Sequence, residues 1–280
     1  MPLDLSAIGE KTAPHPYPYT WKETVLYALG VGAKRDELDF LYEKRGPKVL
    51  PTFAVVPKLP SMITAVQRLG ADLTAIVHST ERVRVFQAFA PSGTLWSTAT
   101  VRAVYDLRKF ATVVVDTETQ DDQGQIVATT TSSILVRGAG GFGGEAPPRD
   151  EPRVSVPKGV LPTFHIEETT SPESALLYRL SGDPNPLHAD PELAAAVGFP
   201  EGPILHGLCT FGHMLRHAAS GAFGGDATRI FEIACQFRRP VWPGDTLVTE
   251  GWLVETSKVV LQVRVNRELV VGSAWASGNL

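Results

Sequence analysis

The chain carries an internal echo, and that echo limits the folds open to it. "TWKETVLYALG" has Thr20 as a helix N-cap and Glu23 three residues on, the two members of a capping box. Trp21, Val25 and Leu29 then recur at helical spacing. "SPESALLYRLSG" repeats the plan, with Ser171 as N-cap and Pro172 at the first helical position. The two caps lie 151 residues apart, and the same shift lays Tyr27 on Tyr178 and Leu29 on Leu180. Farther on, "FQAFAPSGTL" from Phe86 resembles "FRRPVWPGDTL" from Phe237. Each half continues into β-rich sequence. "FATVVVDTETQDDQGQIVATTTSSILV" reads as a hairpin turning at "DDQG", and "KVVLQVRVNRELVVGSAWA" as one turning at "NRE". The pattern predicts an α+β chain of two like units, each a helix followed by a strongly bent antiparallel sheet.

Between the units lies "RGAGGFGGEAPPRDEPR" (Arg137 to Arg153), rich in Gly, Pro and charge, which reads as a linker. The expected division is a first unit over 1–137, a linker over 138–158 and a second unit over 159–280. The second unit has a longer apolar helical run, "PILHGLCTFGHMLRHAAS", from Pro203, with Leu208, Phe211, Met214, Leu215 and Ala218 on a broad face. Its counterpart "PSMITAVQRLG" is shorter, and a missing helix there would leave an apolar cavity.

The repeat also fails at one informative place. "LSGDPNPLHAD" (Leu180 to Asp190) follows the second helix, and the 151-residue shift sets Gly32 opposite Asp183 and Glu37 opposite His188. Only the second unit has an acid–His pair there. Pro184 and Pro186 fix backbone angles on both sides of Asn185 and bias Asp183 and Asn185 towards extended conformations. The stiffened loop lets a carboxylate and an imidazole share one small volume, where a water could sit between two proton-transfer groups. The alternative is an ordinary turn of Asp and Asn with a packing His. Downstream, "ILHGLC" sets Gly207 near a helix start, where free N–H groups favour developing negative charge and a missing Cβ allows close approach.

"YRLSGDPNPLHADPELAAAVGFPEGPILHGLCTFG" resembles the signature of the (R)-specific enoyl-CoA hydratases, the MaoC-like hydratase family. The resemblance runs through the whole chain. "GAGGFGG" (Gly138 to Gly144) is similar to the end of the first unit in the two-unit members, the hydratase part of the peroxisomal multifunctional type. It implies a double hot dog, two bent sheets each wrapped around a helix. It implies reversible syn addition of water to a trans-2-enoyl-CoA, giving a (3R)-3-hydroxyacyl-CoA. By the same resemblance Asp183 and His188 are the catalytic pair and Asn185 supports them. The Gly207 amide polarises the thioester carbonyl, and Pro184, Pro186, Leu187 and Phe237 lie beside the substrate. His78 matches a position that holds the CoA ester, followed by Ser79 where the family has Gly. Lys109 matches a CoA-contacting basic residue, and Arg238 and Arg239 are phosphate candidates by charge. Which of Asp183 and His188 is base and which is acid stays open.

Net charge is −4, from 26 Lys and Arg against 30 Asp and Glu, which does not suit a nucleic-acid backbone partner. Two cysteines, Cys209 and Cys235, have no metal-ligand spacing and suggest a reducing compartment. The start "MPLDLSAIGEK" has no secretory pattern and no run approaches membrane-spanning length, so a cytoplasmic protein is expected. No metal and no cofactor is expected beyond the coenzyme A of the substrate, and a homodimer is admissible. The rivals are a dehydratase acting on acyl carrier protein, a thioesterase, a non-catalytic acyl-CoA-binding protein, and a metal hydrolase. The last would use His213 and His217, four apart as in H-E-x-x-H, but Met214 stands where its Glu should be.

Overall fold

The computed structural model describes residues 3–148 and 154–279. The first half supplies β1 (His15–Tyr19), β2 (Ile76–Val85), β3 (Gly93–Asp106), β4 (Phe110–Gln120) and β5 (Ile126–Arg137). The second supplies β6 (Phe164–Thr169), β7 (Ile230–Phe237), β8 (Thr246–Glu255), β9 (Lys258–Val265) and β10 (Glu268–Gly278). All ten form one antiparallel sheet in the order β1-β3-β4-β5-β2-β7-β10-β9-β8-β6. Read inward from each edge, the two halves have the same strand order. They meet at β2 and β7, where Arg82 faces Ala234 and Val83 faces Ile233. The 151-residue shift turns Arg82 into Ile233 and Val83 into Ala234, so the twofold axis of the repeat passes between these pairs. The hairpin turns lie where the sequence sets them. Asp121 accepts from the amides of Gln123 and Gln125 at 2.9 Å each, and Asn266 and Arg267 both take positive φ between β9 and β10.

The helices are α1 (Trp21–Gly30), α2 (Leu38–Leu41), α3 (Leu59–Arg68), α4 (Ser174–Tyr178), α5 (Pro191–Ala196) and α6 (Gly207–Ala222). The Thr20–Glu23 capping box of α1 is present. Its buried face differs from the expected one. Thr24, Tyr27 and Ala28 are buried, whereas Trp21 and Leu29 are exposed, because α1 packs on α4 through the Tyr27 side. The helix α4 starts three residues after the expected cap, since Ser171 binds the Glu173 carboxylate and opens a turn instead. Helix α6 starts at Gly207, not Pro203; the preceding stretch is extended and Leu205 N–H bonds the Val241 carbonyl at 2.7 Å.

Every α6 residue from Leu208 to Ala219 is buried, as for a helix enclosed by a sheet. The sixteen-residue α6 contrasts with the ten-residue α3, which buries Ser61, Met62, Ala65 and Val66 against β3 and β4 and exposes only Gln67 and Arg68. An aromatic cluster occupies part of the first-half core. The Phe53 ring lies 5.5–6.2 Å from those of Tyr17, Tyr19, Tyr27 and Phe89, and Phe53 and Tyr27 are fully buried. The glycine-rich stretch after β5 is docked, not free. The Asp106 carboxylate accepts from the Gly141 and Gly143 amides at 2.8 Å each. Residues 149–153 of the expected linker lie outside the described residues.

Candidate active site

The loop after α4 is built by local hydrogen bonds. Gly182 takes φ +118°, which L side chains rarely adopt, and turns the chain into Asp183. The Asp183 carboxylate accepts from the Asn185 amide at 3.2 Å. The Asn185 side chain accepts from the Leu187 amide at 3.0 Å and so caps the short helical turn Pro186–His188. Asn185 therefore shapes the turn that carries His188, and its exposed side chain makes no bond to the imidazole. Pro186 occupies the first position of that turn, and the Pro184 carbonyl accepts from Arg179.

His188 is anchored from one side. Its Nδ1 lies 2.8 Å from the Ile204 carbonyl. A carbonyl only accepts, so Nδ1 carries the proton and Nε2 is bare. Burial pushes the imidazole pKa down, against the opposing effects of the Ile204 bond and Asp183, so the ring is neutral.

His206 is a third member that the sequence reading passed over, although it stands in the quoted "ILHGLC". Its ring stacks on that of His188 with centroids 3.6 Å apart and planes 26° apart. Its Nε2 lies 3.3 Å from the Asp183 carbonyl and 4.0 Å from Asp183 Oδ2. Burial, then the neighbouring His188, push its pKa down to about 2. Donor atoms of Asp183, His188 and His206 all lie within 4.8 Å of one another.

Gly207 follows immediately, at the start of α6. No side chain caps this end, and the Gly207 amide meets no acceptor among the described residues. It is thus a free donor on a sixteen-residue helix dipole. A Cβ here would press on the Phe237 ring at 3.3–3.4 Å. Phe237 in turn meets His78 edge-on, with ring centroids 5.2 Å apart, so a residue of the first half reaches the site across the β2–β7 seam. His78 Nε2 is 3.0 Å from the Thr80 carbonyl and 3.0 Å from Glu81 Oε2. Ser79 sits at a register shift between His78 and Thr80, a bulge that turns His78 relative to the rest of β2. Behind them, Glu81 Oε2 also accepts from Lys58 at 2.5 Å and Ser132 at 2.9 Å, with both charges fully enclosed.

Among the described residues, no hydrogen bond or ion pair joins Lys109, Arg238 or Arg239 to this centre. Lys109 is exposed in the β3–β4 turn and makes only backbone bonds. Arg238 is exposed along β10, and Arg239 pairs with Glu268 at 3.3 Å.

Two groups among the described residues have the composition of a metal site. In the first, Asp183, His188 and His206, each ring already turns one nitrogen to a backbone carbonyl, His188 Nδ1 to Ile204 and His206 Nε2 to Asp183. In the second, Glu168, His213 and His217, the Glu168 carboxylate is already held by Lys34 at 2.7 Å, Arg216 at 3.1 Å and His217 at 2.8 Å. Two fixed cations there oppose a third, and this disfavours the metal-hydrolase rival.

Comparison with known proteins places both halves. Residues 17–138 match the model of the MFE-2 hydratase 2 N-terminal domain, and residues 156–273 match that of the MaoC like domain. The chain is 37% identical to Enoyl-CoA hydratase ChsH3 of Mycobacterium tuberculosis, over 90% of each. It is 34% identical to the peroxisomal Enoyl-CoA hydratase 2 of Arabidopsis thaliana, over 91% of this chain and 89% of that one. The crystal structure of a MaoC-like dehydratase from Phytophthora capsici superposes with a TM-score of 0.85 at 30% identity, covering 99% of this chain and 98% of the other. The fold is the double hot dog.

Proposed function

The chain belongs to the MaoC-like hydratase family, in its form with two hot dogs, and from that premise we propose that it is an (R)-specific 2-enoyl-CoA hydratase acting through Asp183, His188 and Gly207. The observation that carries this reading is one convergence. A carboxylate and a bare imidazole nitrogen stand together beside an uncapped helix N-terminus. That set suits water addition to an electrophilic double bond.

The chemistry follows from charge. The carbonyl of an α,β-unsaturated thioester withdraws electrons and leaves C3 open to attack. Addition of water at C3 drives the π electrons to the thioester oxygen. The Gly207 N–H and the α6 dipole stabilise the charge there, by about 3 kcal/mol if the donor acts as others of its kind do. Asp183 and His188 hold the water. His188 starts neutral with Nε2 bare, so it can take a proton from the water as the hydroxyl oxygen bonds C3. A proton then returns to C2 and the pair is restored. Because both groups flank one water, hydroxyl and proton add to the same face.

The first half, over 1–137, serves substrate binding, and the second, over 159–280, carries the chemistry. His78 and Phe237 lie where the thioester enters, and the outlying Lys109 and Arg238 are candidates for the distant phosphates of the carrier. The buried free thiols Cys209 and Cys235 fit a reducing compartment such as the cytoplasm. No described helix is long and apolar enough to cross a membrane.

The test is a panel of trans-2-enoyl-CoA esters, followed by loss of the enoyl absorbance and chiral analysis of the product. A (3R) product is expected. An (S) product, or release of free CoA thiol with the enoyl group intact, refutes the assignment. Asp183→Asn and His188→Ala should each lower turnover at least ~100-fold with the fold retained.

A further inference from the structure

We propose that His206 is the positioning residue of the catalytic pair: its ring face fixes the His188 imidazole while its Nε2–H anchors Asp183. This rests on the hydratase reading above. Three observations carry it. The carbonyl of Asp183 only accepts, so His206 Nε2 carries the proton that faces it, 3.3 Å away. The His206 ring covers one face of His188 at 3.6 Å and is itself backed by Tyr178, with ring centroids 4.9 Å apart. Its Nδ1 is buried with no hydrogen-bond partner. An aliphatic side chain would fill the same space without that unmet polar atom. The imidazole is kept where it costs stability, and what it does there is touch both members of the pair.

The stack limits His188 to rotation in its own plane, and the Nδ1–H bond to Ile204 then stops that rotation. The bare Nε2 is left pointing in one direction. When His188 takes the water proton, the new imidazolium lies against a neutral aromatic face, and the Asp183 carboxylate balances its charge. The ionisable groups that face this stack are Asp183, on the loop itself, and Tyr178 and Arg179, at the end of α4. His206 also directly precedes Gly207, so the same residue couples the water-binding pair to the amide that receives the thioester oxygen.

Two substitutions separate the two contacts. His206→Gln keeps an N–H donor near the Nε2 position and removes the ring. His206→Phe keeps the ring and removes the donor. With a short trans-2-enoyl-CoA as substrate, each variant should lose at least ~10-fold in kcat, with KM changed less than ~2-fold. Imidazole NMR of His188 supplies a readout that needs no turnover. Its titration midpoint should rise in His206→Gln, where water reaches the uncovered face, and stay in place in His206→Phe. Variants that fold and turn over like the wild type overturn the proposal. So does a lower melting temperature with unchanged kcat, or an unmoved His188 titration in the Gln variant. A wild type that hydrates no enoyl-CoA would refute the hydratase reading instead, and the NMR comparison would still decide the role of His206.

Discussion

Removing the charge of Lys58 should cost this fold more than almost any other single change, and Glu81→Gln should undo most of the damage. Lys58 and Glu81 have no exposed side-chain surface and meet at 2.5 Å. Glu81 Oε2 collects Lys58, Ser132 and His78, while Oε1 has no partner. In Lys58→Met the carboxylate keeps its burial and loses its counter-charge. Breaking one side of an enclosed pair costs about 3–5 kcal/mol. At roughly 2–4 °C per kcal/mol for a chain of this order, the melting temperature should fall by about 6–20 °C. The double variant Lys58→Met, Glu81→Gln carries no charge at this position, and replacing a whole pair is often near neutral. Urea unfolding of the four proteins in this cycle measures the coupling directly. The double variant should recover at least about half of the stability lost by Lys58→Met. Additive losses, or a single variant within about 1 kcal/mol of wild type, would show that the pair does not bear on stability as argued.

Three further outcomes follow from the same geometry. Gly207→Ala should fold but lose at least ~10-fold in turnover, because its Cβ presses on Phe237 where the thioester must approach; steady-state kinetics with thermal melts check this. Burial raises the Glu168 pKa, but the His213 ring nitrogen 3.6 Å away, the His217 bond and the charge of Arg216 more than reverse this and hold it well below its ordinary 4.5. A depressed carboxyl stabilises the fold above its unfolded value and loses that contribution as pH falls, so urea stability should drop below about pH 4.5 in the wild type and less steeply in Glu168→Gln. Phe53→Ala should cost about 3–5 kcal/mol in urea unfolding and, by opening the aromatic cluster, shift the enoyl-CoA panel towards longer chains.

What could be read from the sequence was whatever local chemistry decides. The capping box at Thr20, the turns at "DDQG" and "NRE", and the proline-braced loop all depend on residues within a few positions of one another. What could not be read depends on packing across the chain. In α1, Trp21–Val25–Leu29 and Thr24–Tyr27–Ala28 have equally good helical spacing, and only the docking of α4 selects the second. The first-half aromatic cluster was hidden because Phe53 meets Tyr19 and Phe89 only through tertiary packing. His206 was hidden for the same reason. Its partner Asp183 is 23 residues away, and nothing in "ILHGLC" tells which way the ring faces.

The two copies of the repeat use the same loop position differently. The positions equivalent to Asp183 and His188 are Gly32 and Glu37, and neither is idle. A Cβ at Gly32 would overlap His213 and Glu168, so the missing side chain lets the first-half loop close onto α6. Glu37 bonds the Arg216 guanidinium, whose Nη1 reaches Glu168 and the Val31 carbonyl. The first-half counterpart of the Asp183–His188 loop is thus a clasp on the second half's central helix. That helix begins with Gly207, so the clasp holds the axis on which the free amide is mounted. Gly32 and Glu37 of the first copy thus brace the helix that starts beside Asp183 and His188 of the second.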